Sequence, residues 1–128
     1  MSYYFSRIIE APFEAAVART RAALAQEGFG VITEIDVTQT LNTKIGVDFR
    51  PYLILGACNP ALAHEALKLE DKVGAMLPCN VVVQDAGGGR IEVAAIDPVA
   101  SMQAIDNAAL KDKAGEVAEK LRAAVAKI

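Results

Sequence analysis

CNVVVQDAGGGRIEVAAIDP, residues 79–98, decides what kind of sheet this chain can build. A valine-rich run from Cys79 to Asp85, a glycine triplet at Gly87, Gly88 and Gly89, and a second run from Arg90 to Ile96 read as two strands joined by a tight turn. Asp97 and Pro98 close the pair. So short a connection reverses the chain, whereas parallel neighbours need a crossover of a dozen or more residues. An all-parallel, doubly wound sheet is therefore excluded.

Working outward, PYLILGAC, residues 51–58, is apolar without alternation and reads as a central strand covered on both faces, with proline tolerated at its start. Asn59 and Pro60 then announce a helix, because asparagine is a strong N-cap and proline suits the first helical position. Upstream, Ser2 to Ile9 suits a strand, and Pro12 opens a helical pattern in which Phe13, Val17, Thr20 and Leu24 form one apolar stripe. Gly28 stops it. In GFGVITEIDV, Phe29, Val31, Thr33, Ile35 and Val37 alternate with Gly30, Ile32, Glu34 and Asp36, the period of a half-buried strand. Thr38 to Val47 fits either a short helical turn or a loop. The last helix starts near Asn107 and places Leu110, Ala114, Val117, Leu121, Ala124 and Ile128 on one face.

The resulting order, β-α-β-β-α-β-β-α, predicts an α+β fold: a two-layer sandwich with a mixed or mostly antiparallel sheet and helices on one face. The length of 128 residues fits a single domain over residues 1–128, with a core large enough to stand without staples. At 53% hydrophobic and 23% charged, the composition is that of a globular chain. A net charge of −3 with scattered basic residues gives no stripe to track phosphates, so nucleic acid is not an expected partner. No apolar run reaches the roughly 20 residues of a membrane span. The start MSYYFSRIIE enters a strand pattern without the basic segment and apolar core of a secretory signal, so a cytoplasmic location is expected. The two cysteines are too few for a disulfide framework and are expected as thiols.

Taken together, GFGVITEIDV, GVDFRPYLILGACNP, ALAHEAL, MLPCNVVV and AIDP resemble the prokaryotic family of domain of unknown function 302, over nearly the whole chain. The resemblance implies a small α+β domain, a homodimer in at least some members, with no agreed activity. The positions it singles out are Asp48, Arg50, Cys58, Asn59, Pro60, Leu77, Pro78 and Cys79, and it supplies no catalytic assignment.

Each polar candidate has its own chemistry. Cys58 adjoins a helix N-terminus, where unpaired N–H groups favour a thiolate, but it also suits packing at a strand end. Cys79 follows Pro78 into a strand and suits packing more simply. A joint Cys58, His64 and Cys79 metal set has the spacing C-x5-H-x14-C, which matches no usual zinc pattern and offers three ligands where a closed site takes four. His64 also falls on the side of its helix opposite Leu62, Ala66 and Leu69, facing solvent. With parallel strands the two thiols would stand about 20 Å apart; an antiparallel arrangement or a partner subunit would bring them together. Asp48 and Arg50, two apart, share a face of an extended segment and form either a charged pair or a substrate clamp. Glu34 and Asp36 are read as a solvated strand face. No nucleophile elbow, Walker loop or paired CxxC motif occurs.

Two function classes follow. The first is a non-enzymatic dimeric module that binds a small ligand near the Asp48–Asn59 segment, with an anion expected where Arg50 and the helix N-terminus meet beside Cys58. The alternative is a thiol-based redox or metal-handling protein using Cys58, with Cys79 and His64. The missing catalytic set favours the first, and no cofactor is expected. A homodimer is expected because so apolar a chain has more surface to hide than one small core buries.

Overall fold

Five strands lie in one sheet in the order β1-β5-β4-β3-β2: β1 (Tyr4–Glu10), β2 (Gly30–Asp36), β3 (Tyr52–Cys58), β4 (Cys79–Gly87) and β5 (Arg90–Ile96). The computed structural model describes residues 2–128, and every neighbouring pair in the sheet is antiparallel. The helices are α1 (Phe13–Gln26), α2 (Val37–Ile45), α3 (Pro60–Leu69), the single turn α4 (Pro98–Ser101) and α5 (Ala108–Ala126). A 3-10 segment, Asp71–Met76, follows α3. The architecture is α+β, as expected, and none of the helices among the described residues is long and apolar enough to cross a membrane.

The β4–β5 hairpin pairs Val83 with Val93, and its turn needs three glycines because Gly87, Gly88 and Gly89 all sit at φ between 64 and 84°. Side chains with a Cβ are strained there. Inward residues of three strands, among them Leu55, Val81, Val83, Val93 and Ala95, are buried beneath α1 and the C-terminal half of α5. In α1, Thr20 and Leu24 of the expected stripe are buried together with Ala16 and Ala23, whereas Phe13 and Val17 are partly buried at its margin; the Thr20 hydroxyl donates to the Ala16 carbonyl at 2.7 Å. In α5, Leu110, Ala114, Leu121 and Ala124 of the expected stripe are buried, joined by Ala118 and Val125, with Val117 partly buried, behind an Asn107 cap that accepts from the Leu110 N–H.

Two sequence expectations change, and one open alternative is resolved. First, β3 is interior to the sheet but covered on one face only: Leu53, Leu55 and Ala57 are buried, whereas Tyr52, Ile54 and Cys58 on the other face are partly exposed. The partial exposure of that second face, with Ile35 49% exposed on β2 beside Ile54, shows that no full layer seals it, so an unbroken apolar run here reflects shielding by neighbouring strands. Second, β2 is not half buried. A bulge between Val31 and Thr33 reverses its alternation, so Val31 pairs with Ala57 on the helix side while Thr33 and Ile35 pair with Gly56 and Ile54 on the open side. An edge strand accepts such an extra residue, which also spoils the edge for pairing with other chains. The stretch Thr38–Val47, open in sequence between a helical turn and a loop, is helical: Asp36 caps α2 by accepting from the Gln39 N–H at 2.9 Å, and Gly46 ends it at φ 71°.

Helix α3 packs on α5 and on the 3-10 segment more than on the sheet. A second, smaller apolar cluster therefore forms away from the strands, from Ala66, Val73, Met102, Leu110 and Ala114.

Candidate functional site

The residues singled out in the sequence divide between the two ends of β3. Arg50 precedes the strand and Cys58 ends it, so extended backbone at about 3.3 Å per residue holds them roughly 25 Å apart. A single small ligand cannot touch both.

At the first end, Arg50 is engaged with its own surroundings. Its Nε donates to Gln84 Oε1 at 3.0 Å, and Gln84 Nε2 donates in turn to Glu92 Oε1 at 3.1 Å. The guanidinium lies 4.4 Å from the centre of the Phe49 ring and 5.7 Å from that of Tyr52. Thr38 Oγ1 donates to the Arg50 carbonyl and accepts from the Tyr52 N–H, which ties α2 to the start of β3. Asp48 is exposed on a stretch without regular structure, in a shallow depression with Asp36 and Thr38. The segment is not a strand, and among the described residues no ion pair joins Asp48 to Arg50. Glu34 pairs with Arg21 of α1, and Asp36 is occupied as the α2 cap.

At the second end, Asn59 Oδ1 accepts from the Leu62 N–H at 3.3 Å and the Asn59 carbonyl from the Ala63 N–H at 2.9 Å, with Pro60 in the first turn. The cap forms as the sequence implies and is of a kind that contributes about 1 kcal/mol. It also uses up the terminus: proline has no N–H, and the Leu62 and Ala63 groups are taken, which leaves that of Ala61. Little donor capacity remains for an anion, and Arg50 is at the far end of the strand.

Beside this cap lies a cavity of about 300 Å³. Its walls come from the ends of β3 and β4 (Ala57, Cys58, Cys79), from α3 (Leu62, Ala63, Ala66, Leu67), from Leu77 and Pro78, and from Met102, Leu110, Lys113, Ala114 and Val117 near or on α5. It occupies the seam between the sheet core and the smaller cluster, since residues of both clusters line it. The two clusters meet along α5 without merging.

Both thiols are free and reach this cavity, Cys58 partly exposed and Cys79 buried. The antiparallel register brings them to one end of the sheet, with Cys79 opposite Ala57. His64 stands exposed on α3, and among the described residues no three His, Cys, Asp or Glu side chains are grouped to hold a metal ion. Burial, and secondarily the Cys58 thiol, pushes the Cys79 thiol from its ordinary 9.0 up to about 11. The folded chain thus holds this proton more tightly than the unfolded chain. Its contribution to stability is complete below about pH 9 and lost as the pH rises through about 11. Chemical denaturation across pH 8 to 11.5 is expected to show this alkaline decline, and Cys79→Ala is expected to flatten it; superimposable profiles would contradict the assignment.

Of the residues around the cavity, the sequence offered Cys58 and Asn59 as ligand-site candidates, Cys79 only in the metal or redox alternative, and Leu77 and Pro78 only through the family resemblance; the opposite wall was not among them. Leu110, Ala114 and Val117 were legible as an apolar stripe, yet nothing in their spacing distinguishes lining a cavity from filling a core. Lys113 carries no signal at all in one dimension.

The family model described as domain of unknown function DUF302 matches residues 5–128. A solved structure similar to this chain is the crystal structure of an uncharacterised conserved DUF302 protein from Bacillus stearothermophilus. It is 30% identical, the match covers 99% of this chain and 98% of that one, and the TM-score is 0.91. No curated protein matches the sequence.

Proposed function

The chain belongs to the DUF302 family, whose description assigns no activity, and from that premise we propose that it is a non-enzymatic binding module, acting as a homodimer, that holds a small apolar molecule in the cavity beside Cys58 and Asn59. The observation that carries this reading is the cavity itself. Interiors are close-packed, with few voids larger than a water. A space of about 300 Å³ with apolar walls at the seam of two clusters is instead at the lower bound of small-molecule sites, roughly 300 to 1,000 Å³. Filling it removes apolar wall from water, at about 0.8 kcal/mol per buried methylene.

The test is titration of the full chain with 1-octanol, followed by heteronuclear NMR. Shifts are expected at Ala63, Leu67, Met102 and Leu110, and Ala63→Leu, which extends a side chain into the space, is expected to weaken binding at least tenfold. Saturating octanol without localised shifts would sink the reading. Cys58→Ser is expected to keep the affinity within about twofold, because the thiol contributes wall rather than chemistry.

Dimerisation draws support from the uncovered sheet face. Ala94, Val82, Ile54 and Ile35 form a cross-strand row without charge, and Tyr4 and Ile8 on the same face are 41% and 52% exposed. Five strands of seven or more residues give a footprint of about 24 by 23 Å. With side-chain relief this approaches the ~800 Å² per partner of a stable interface. A two-fold pairing would cover the row with its own copy. Sedimentation that shows monomer alone at micromolar concentration would remove this part of the proposal.

A second reading, thiol chemistry at Cys58, draws support from the two free thiols at one cavity wall. Rapid alkylation of Cys58 at neutral pH, together with failure to bind octanol, would favour it.

A further inference from the structure

We propose that the occupant of this cavity is a medium-length alkyl carboxylate, its chain in the apolar interior and its head group on the Lys113 ammonium. The inference rests on the apolar-cavity reading above and adds the class of ligand. Among the described residues that line the cavity there is no carboxylate, histidine or arginine, and Lys113 supplies the one charge. The other strongly polar side chain, Asn59, has its Oδ1 occupied by the Leu62 N–H. A ligand with a cationic head would therefore meet an ammonium and no counter-charge, and a neutral one would gain at most a hydrogen bond without the charge attraction. An anion completes the site.

Lys113 is suited to this role by its position. Its side chain is 32% exposed, between the apolar wall and solvent, where a lysine lays its hydrocarbon stem along the surface and keeps its head at the water boundary. Its present partner is Glu116 Oε2 at 3.4 Å, one helical turn away, with the glutamate side chain 49% exposed. Solvent-exposed pairs of this spacing are weak, so a carboxylate delivered from the cavity side competes well. Attraction between the two charges also strengthens where the apolar wall displaces water. The volume sets the chain length: at roughly 30 Å³ per heavy atom, as for water in the liquid, the cavity takes about ten heavy atoms. Octanoate has that size.

The experiment titrates the full chain with octanoate and with 1-octanol, in the native sequence and in Lys113→Met and Lys113→Arg. Octanoate is expected to bind at least fivefold more tightly than octanol to the native chain. Lys113→Met should reduce octanoate to the level of octanol while changing octanol less than about twofold, and Lys113→Arg should keep the preference for octanoate. Equal affinities in the native chain, or an octanoate affinity unmoved by Lys113→Met, would overturn the carboxylate assignment and leave the cavity reading intact. Binding of neither probe would overturn both.

Discussion

Leu121→Ala is expected to lower the free energy of unfolding by about 2 to 5 kcal/mol. Leu121 is fully buried, on the part of α5 that closes the sheet core beside Ala124, Val125 and Ile128. Its removal forfeits the transfer of a large aliphatic side chain and leaves a void that the packed strand residues beneath cannot readily fill. A domain of ordinary size has only about 5 to 15 kcal/mol in hand, so the substitution should take away a large share of that margin. Urea denaturation reads the effect directly as a shift in midpoint at unchanged slope. A loss below about 1 kcal/mol would mean that the second half of α5 is peripheral. Because Leu121 does not line the cavity, the folded variant should retain the native affinity for octanol, which separates the sheet core from the binding seam.

Gly56→Ala should be the next most damaging change, at about 1 to 3 kcal/mol by overpacking. Ordinarily a glycine inside a strand weakens it, and alanine would be an improvement. Here the open face is closed over Gly56 from two sides. An added Cβ would collide with Thr33 Oγ1 and stand 3.3 Å from Thr33 Cβ and 2.7 Å from Pro78 Cγ. The hydroxyl of Thr33 can rotate away, but the Pro78 ring has no such freedom. The double variant Gly56→Ala with Thr33→Ala is therefore expected to recover only part of the loss, with the remainder assigned to Pro78. Full recovery would show that the proline yields, and an unchanged or raised stability for Gly56→Ala alone would show that the strand end relaxes. Pro78 also lines the cavity, so the single variant is expected to weaken octanol binding as well.

What could be read in one dimension was what neighbouring residues decide among themselves. The β4–β5 hairpin follows from two valine- and isoleucine-rich runs around three glycines, and those glycines occupy left-handed backbone that other residues resist. The start of α3 follows from Asn59 and Pro60, whose capping bond and missing N–H act within one turn. The span and buried face of α5 follow from its three-and-four spacing, and Asn107 marks its start. These are local determinants, so antiparallel α+β character and the Asn59 cap were both legible.

The rest depended on contacts between distant segments. Alternation in β2 is reversed at Ile32 because only pairing with β3 creates a bulge. The apolar run of β3 does not reveal whether a second layer covers it, since shielding by β2 and β4 accounts for half-buried Ile54 without one. Whether Cys58 and Cys79 meet turns on the route of α3. Because α3 leans on α5 instead of crossing the sheet, the chain re-enters β4 at the end where it left β3, and the thiols converge. The same docking separates the apolar residues into two clusters that share α5, and the seam between them becomes the cavity. Residue types and spacings specify which side chains avoid water, but a void exists only where rigid helices stop short of filling the space between them, and that is a property of tertiary packing.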